Sequence, residues 1–469
     1  MPWMASLPWL LSRVRGQAVF VLLLALFLLL ITRNVSPEPY GYDERDYLYA
    51  ATLGFAANWS DTPSIPMRDF VRAGLGHGRN GRPDTQMTLS EGIRSGSDVL
   101  FYRHFHGPLF HYLLIGVSQL GLSEHGLRTA LLAIPAASLA IVYFGCLSLA
   151  PSGAIFAAML FVSSYAVIGS TELAPHQLFA LCSLACLILL LKAIATGRRR
   201  YWYGAVVMAG FAFCTLEIAC VLLGTLAICC FVERGRWHVD RAFIAKSLAL
   251  FFATVLVVWP AAILRLSFLK AYAVMAYLTL SRDAAWGNTS FIETWRGRIF
   301  DSPLEWFLIL AGVTMWLRNR RRNVYPVGLF ALLTLAATLH VLTITPRYSL
   351  AFVPALDLLA GLTLVPSLGP LRRPASLAVV ALAVAGLYGS AWYQVAHQPR
   401  NPNPRSAAVL TYIHQNELEN KALLVPQADV PALHYYFPGM RLRGYYGQSP
   451  VPSDRVGWED AFVISAAEP

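Results

Sequence analysis

The chain has 469 residues, of which 56% are hydrophobic and 13% are charged. Soluble domains carry roughly 25% charged residues, and here the hydrophobic residues come in repeated long runs, so the sequence predicts an all-α protein that crosses a membrane many times. The net charge of +11 is spread in small clusters between those runs. Such clusters are typical of cytoplasmic loops and exclude a single basic patch that would bind nucleic acid.

The first apolar run, residues 17–32, is a predicted membrane span that is retained rather than cleaved as a signal peptide. Arg13 and Arg15 precede it, which places the N-terminus in the cytoplasm. The acidic stretch that follows, Tyr42-Asp43-Glu44-Arg45-Asp46, is therefore expected outside. Carboxylates at the mouth of a span are costly unless water, a metal ion or a substrate compensates them. The alternative interpretation is a solvated, charged loop.

Residues 33–127 form the first predicted outer loop, and a loop of this length is usually functional. The apolar part of 108–121 is too short to cross a hydrocarbon core of about 30 Å. A crossing there would also reverse every later loop and place the arginine clusters outside, against the positive-inside rule. We therefore predict an amphipathic juxtamembrane helix that lies in the outer interface.

The remaining apolar runs give about eleven membrane spans in total, within a transmembrane domain of residues 1–395. A second large outer loop is predicted at 265–303. The predicted spans after the first are 129–149, 154–169, 177–196, 201–216, 218–232, 243–264, 304–317, 324–343, 349–366 and 375–393.

The tail, residues 396–469, has a different composition and is predicted to be a small extracytoplasmic α/β appendage. Helical spacing of apolar residues predicts a helix at 406–416. Two short apolar runs, at 422–425 and 461–464, predict strands.

This topology gathers ionisable residues at the outer face. Carboxylates there can take a proton from a hydroxyl group or hold a divalent metal ion, and arginines can hold a departing phosphate in a bidentate contact. The set therefore fits transfer of a group from an anionic lipid. Its members are Asp43, Glu44, Asp46, Arg103, His104, His106, Arg128, Glu172, His176, Glu217, Lys270, Arg282 and Arg347.

Four motifs in this order resemble those of GT-C type glycosyltransferases that use polyprenyl-phosphate sugars, the superfamily of protein O-mannosyltransferases and the lipid A aminoarabinose transferase. The first is Asp43-Glu44, and the second begins His106-Gly107-Pro108-Leu109, where that family usually has His-Pro-Pro-Leu. The third ends at Arg128, which opens the second span, and the fourth is Pro346-Arg347-Tyr348. The resemblance is clear over residues 19–200 and follows only the general layout beyond them.

The resemblance implies catalytic acids at Asp43 and Glu44, which serve as a base or as metal ligands. It implies that the donor phosphate is bound by the residues Arg128, Arg347, Tyr348 and Lys270. A second acid is expected where this chain has His176, one helical turn after Glu172, so either residue is a candidate. No cofactor is certain from the sequence; if a metal ion takes part, Mg²⁺ or Mn²⁺ at Asp43 and Glu44 is expected.

Several candidates have a structural interpretation as well. Arg128 and Arg347 can be interfacial anchors, and His104 and His106 can be helix-start residues rather than metal ligands. Glu217 can mark a tight turn between two spans. Lys270 and Arg282 are more often loop charges than ligands.

The resulting functional hypothesis is an inverting glycosyltransferase of the bacterial inner membrane, with its active site and C-terminus extracytoplasmic. Its partners are the lipid bilayer, a polyprenyl-phosphate-linked sugar as donor and an acceptor hydroxyl on protein, lipid A or an envelope glycan. A transporter or flippase of lipid-linked sugar is an alternative, although it favours internal repeats and ionisable residues at mid-membrane, whereas we see no repeat here and expect the charges to cluster at the outer face. A non-catalytic scaffold of an envelope polysaccharide complex is another alternative.

Overall fold

A computed structural model describes most of the helical part of the chain and parts of its tail. The described ranges are 7–36, 44, 47–48, 51, 106–264, 302–319, 322–338, 346–367, 374–397, 404–426, 429, 433, 436–437, 439–445, 450 and 455–465.

Long and short apolar helices alternate along this part of the chain. The helices are α1 (Leu7–Ile31), α2 (Leu109–Ser118), α3 (Glu124–Leu131), α4 (Ala133–Leu149), α5 (Ala154–Ser163), α6 (Tyr165–Ile168), α7 (Pro175–Thr196), α8 (Arg199–Phe213), α9 (Ala219–Val232), α10 (Arg241–Val258), α11 (Pro260–Leu264), α12 (Pro303–Asn319), α13 (Tyr325–Thr338), α14 (Val353–Ser367), α15 (Pro374–His397) and α16 (Pro404–Gln415).

Five stretches of described helix are long and apolar enough to cross a membrane. They are residues 16–34, 124–149, 175–196, 241–258 and 378–397. Five shorter apolar helices, in α2, α5, α9, α13 and α14, accompany them. The chain is therefore a mostly helical multi-pass membrane protein by length and composition, while the predicted total of eleven spans and the predicted orientation stay predictions.

The predicted juxtamembrane segment 108–121 contains a helix of 10 residues, α2. The third predicted span is interrupted, because Ser164 has extended backbone angles between α5 and α6. Local sequence sets the other helix boundaries. Ser123 caps α3 by accepting a hydrogen bond from Gly126, and Asp240 caps α10 in the same way from Phe243.

The helices pack around α7, which lies between α4 and α8, and around α14, which lies between α5 and α12. Small residues allow the closest approach. A Cβ atom on Gly361 of α14 would lie 2.3 Å from Cβ of Ala157 on α5. Close backbone contacts through small residues are the usual packing mode in membranes, where burial from water does not drive association.

The tail contains helix α16 and a three-stranded parallel sheet in the order β2-β1-β3. Strand β1 (Ala422–Pro426) pairs with β2 (Arg441–Tyr445) and with β3 (Phe462–Val463), in register Ala422 to Arg441 and Leu423 to Phe462. The helix and both strands expected from the sequence are present. Strand β2 was not predicted, because its exposed edge position carries two arginines that hide the apolar alternation.

The tail also contacts the helical part of the chain. The Tyr436 hydroxyl donates a hydrogen bond to Glu124 at the start of α3, and its ring packs on the cluster that contains Tyr47, Phe110 and Leu127. Tyr436 therefore packs beside Tyr47, which follows the first acidic motif. Whether the tail folds as a separate domain, and whether residues 33–127 and 265–303 are outer loops, stay predictions.

Candidate active site

A buried ion pair joins the acidic motif to the third helix. Arg128 donates from Nε to Glu44 Oε1 at 2.8 Å and from Nη2 to Glu44 Oε2 at 2.7 Å. The backbone N–H of Leu173 donates to the same Glu44 Oε1 at 2.9 Å, and Arg128 Nη1 donates to the carbonyl of Ser36 at 3.0 Å. Only 3% of Arg128 is exposed. A single bidentate pair thus ties together the end of α1, the acidic motif, α3 and the loop before α7.

These contacts bear on the predicted roles of both residues, which stay predictions. Arg128 was predicted to bind the donor phosphate, but its guanidinium group is engaged by Glu44 and by Ser36, which favours a structural role. Glu44 was predicted as a catalytic acid or a metal ligand. Its two oxygens accept from Arg128 and Leu173, and the described residues contain no group of three or more metal-ligating side chains.

A second polar contact joins the motif around His106 to the turn between α8 and α9. His106 Nδ1 lies 2.9 Å from Oε2 of Glu217. Beside it, the Leu109 N–H donates to the carbonyl of Cys214 at 3.0 Å. A Cβ atom on Gly107 would lie 2.2 Å from that carbonyl oxygen. Proline carries a Cβ atom, so this close approach explains why the family's first proline is absent here and glycine replaces it.

A third group of contacts lies around the short 3₁₀ helix Pro346–Ala351. Arg347 Nη1 lies 3.4 Å from Oε2 of Glu172, and Arg347 Nη2 donates to the Tyr348 hydroxyl at 3.3 Å. The ring of His176, in the first turn of α7, packs edge-on against the Tyr348 ring with centroids 5.2 Å apart. Gln177 supports this arrangement by donating to the carbonyl of Ser170 at 2.9 Å.

The second and third groups are neighbours. The rings of His106 and His176 are 6.2 Å apart, and Tyr47 lies 5.9 Å from His106. Imidazole, phenol and guanidinium groups can bind an anion here. Glu172 and Glu217 can accept hydrogen bonds or, when the reaction requires it, a proton.

The structure brings together eight of the predicted site residues, at the end of the helices that the sequence predicts to face outside. They are Glu44, His106, Arg128, Glu172, His176, Glu217, Arg347 and Tyr348. The other predicted site residues lie outside the described residues: Asp43, Asp46, Arg103, His104, Lys270 and Arg282.

Tyr47 was missed by the sequence analysis. Its ring is buried and contacts His106, Phe110 and His111. The signal was present, because Glu44, Tyr47, Leu48 and Ala51 recur at helical spacing and are all buried. The neighbouring acids Asp43 and Asp46 gave this stretch the pattern of a charged loop rather than that of a buried helix face.

Comparisons with known proteins agree with this architecture. A family model described as dolichyl-phosphate-mannose-protein mannosyltransferase matches residues 105–260. No curated protein sequence compared with the chain matches it significantly. Two crystal structures of ArnT from Cupriavidus metallidurans are similar, one in the apo state and one bound to undecaprenyl phosphate. The apo structure has a TM-score of 0.58 at 16% sequence identity. The match covers 97% of this chain and 90% of the ArnT chain. The undecaprenyl phosphate complex has a TM-score of 0.58 at 15% sequence identity. The match covers 94% of this chain and 88% of the ArnT chain.

The apo oligosaccharyltransferase of Archaeoglobus fulgidus is also similar, with a TM-score of 0.54 at 14% sequence identity. The match covers 91% of this chain and 64% of the oligosaccharyltransferase chain. The resemblance to GT-C type glycosyltransferases is thus confirmed. The chain has the GT-C fold.

The ion pair gives a testable stability effect. Arg128→Met leaves the Glu44 carboxylate buried and unpaired, which typically costs about 3–5 kcal/mol. We expect a large drop in the melting temperature of the purified protein, and partial recovery in the double variant Glu44→Leu/Arg128→Met. Arg318→Met, at an exposed position, is the control that removes an arginine without burying a charge. An Arg128→Met protein as stable as this control would contradict the structural role.

Gly107→Ala tests the close approach beside His106. The new methyl group meets a backbone carbonyl at 2.2 Å, and forced displacements of this kind cost about 1–3 kcal/mol or more. We expect a lower melting temperature. Gly116→Ala in the adjacent helix α2 is the matched control, because nothing lies within 4 Å of its added atom. Equal stability of the two variants would show that the contact with Cys214 is absent in the native protein.

Proposed function

We propose that the chain is an integral-membrane, inverting glycosyltransferase that moves a sugar from a polyprenyl-phosphate carrier to an extracytoplasmic acceptor hydroxyl. The acceptor is a group on protein, lipid A or an envelope glycan, and the enzyme acts in the bacterial inner membrane. The observation that carries this proposal is the cluster of Arg347, Tyr348 and His176 in a chain with the GT-C fold. The ArnT structure that binds undecaprenyl phosphate supports a carrier of the same class.

The donor phosphate is held by Arg347 in this proposal. Arg347 is 6% exposed, and its guanidinium group contacts Glu172. The contact of Arg347 with Glu172, at 3.4 Å, is longer than the usual distance for a charged hydrogen bond, about 2.7–2.9 Å. Tyr348 can add a phenolic hydrogen bond. Arginine contacts of this kind stabilise the charge that develops on the phosphate as the sugar leaves.

Glu172 has a defined role here. The sequence left open whether Glu172 or His176 replaces the family's second acid. The contact with Arg347 favours Glu172 as the residue that orients the phosphate-binding arginine, whereas His176 packs against Tyr348.

The catalytic base in this proposal is Asp43. The neighbouring Glu44 is fixed by Arg128 and Leu173, so it holds the acidic motif in place rather than reacting. The acceptor oxygen attacks C1 of the sugar while the bond from C1 to the phosphate oxygen breaks, which inverts the anomeric configuration. The acceptor proton passes to Asp43, and polyprenyl phosphate departs with the electron pair. Asp46, Arg103, His104, Lys270 and Arg282 stay predicted contributors to this site.

Binding of undecaprenyl phosphate tests the role of Arg347 without knowledge of the sugar or the acceptor. We expect Arg347→Ala to weaken binding to the protein in lipid nanodiscs by roughly 100-fold, since charged hydrogen bonds to an anion contribute about 1.5–3 kcal/mol each. Arg347→Lys should lose less, because it keeps the charge but not the bidentate geometry. Arg318→Ala is the control. Equal affinity of Arg347→Ala and this control would refute the assignment.

Transfer from a panel of polyprenyl-phosphate sugars tests the base. Asp43→Asn should reduce transfer by roughly 10²–10⁴-fold, the range for loss of a general base, while it leaves undecaprenyl phosphate binding unchanged. Asp43 is altered alone because Glu44 belongs to the ion pair. Full transfer activity in Asp43→Asn would overturn the mechanism, and retained binding would then still support the carrier.

A further inference from the structure

Two acidic side chains lie inside the helix bundle, which corrects the expectation that the charges all cluster at the outer face, and they take no part in the proposed reaction. Glu305 is in the first turn of α12, and Asp357 is in the second turn of α14. They are 2% and 0% exposed. An ionisable residue inside a membrane domain is expensive and is usually retained for a function, with an identifiable partner.

The surroundings of Glu305 connect three helices. Its Oε2 accepts a hydrogen bond of 3.4 Å from the backbone N–H of Tyr165, at the break between α5 and α6. The hydroxyl groups of Ser164 and Ser302 lie beside its carboxyl group. Asp357 is on α14, which packs closely along α12: a Cβ atom on Gly312 of α12 would lie 2.8 Å from Cβ of Ala360 on α14.

Three carboxyl oxygens of this pair lack hydrogen-bond partners in the described part of the chain. They are both oxygens of Asp357 and Oε1 of Glu305. The hydroxyl oxygen of Ser164 is fully buried and also makes no well-formed hydrogen bond within the same residues. No arginine, lysine or histidine in the described ranges forms an ion pair with either acid.

Two carboxylates that share a buried site without a basic partner cannot both stay ionised. We propose that Glu305 and Asp357 form a proton-binding site inside the bundle, in which the two carboxyl groups share one proton. The bound proton gives the pair a donor as well as acceptors, so that one carboxyl group donates to the other. The shared hydrogen bond then links α12 to α14.

This link reaches the candidate active site through packing. Both α6, which begins at Tyr165, and α14 pack against the 3₁₀ helix Pro346–Ala351 that contains Arg347. Glu305 and Asp357 are therefore positioning residues for this segment. The burial of both acids and their unsatisfied oxygens do not depend on the proposed transfer reaction.

Infrared spectroscopy of the purified protein in nanodiscs tests the inference directly. At neutral pH, the wild-type protein should show the carbonyl stretching band of a protonated carboxylic acid, and Glu305→Gln/Asp357→Asn should lose it. Exposed acids are ionised at that pH and do not contribute. An identical spectrum in this region for both proteins would overturn the proposal.

Amide and apolar replacements give a matched pair of variants. Asparagine keeps a donor and an acceptor in nearly the same shape, so Asp357→Asn should keep its melting temperature within about 2 °C of the wild type. Asp357→Leu has a similar shape but removes the donor and leaves Glu305 alone. It should melt at a clearly lower temperature, and equal losses in both variants would contradict a shared proton.

A metal ion is the alternative occupant of the site between Glu305 and Asp357. The wild type and the double variant also test this alternative. Magnesium, calcium and sodium ions are added in turn to the wild type and to Glu305→Gln/Asp357→Asn. The proposal predicts equal responses of the two melting temperatures. Stabilisation of the wild type alone would overturn it and show that the pair holds a hard cation through its oxygens.

Discussion

The carboxylate of Glu44 and the guanidinium group of Arg128 are removed from water together, and neither is stable in that place alone. The two residues are 84 positions apart, and each hydrogen bond between them closes a large segment of chain. Because Leu173 and Ser36 contact the same pair, four segments come to one point. The positions of the acidic motif and of the loop before α7 follow from this constraint.

The contacts of Arg128 and Arg347 differ in a way that the sequence could not show. Arg128 and Arg347 are both buried arginines at the same end of the helices. Arg128 contacts its carboxylate partner at 2.7–2.8 Å through two nitrogen atoms, whereas Arg347 contacts Glu172 at 3.4 Å. The first geometry is that of a structural ion pair. In the proposed function, Arg347 holds the donor phosphate. Helix α14, which carries Asp357, packs against the 3₁₀ helix that contains Arg347.

Helix positions were predictable because membrane helices show their length in the sequence, and the short segment 108–121 was recognised for the same reason. The interruption at Ser164 and strand β2 were not predictable, since tertiary contacts decide both. The candidate site was found as a set of residue types at one face. Which of these residues pair with one another was not predictable, because the partners of Glu44, His106 and Arg347 lie 84, 111 and 175 residues away along the chain. The glycine at position 107 was not predictable for the same reason, because its close approach to the carbonyl of Cys214 is a contact between distant parts of the chain.

The most direct test is a cryo-electron microscopy structure of the protein in a lipid nanodisc with bound undecaprenyl phosphate. The account predicts that phosphate oxygens lie within hydrogen-bond distance of Arg347, with Tyr348 and His176 beside them. It also predicts that Arg128 stays paired with Glu44. A phosphate bound to Arg128 with Glu44 displaced, or one bound at the opposite end of the helices, would contradict it.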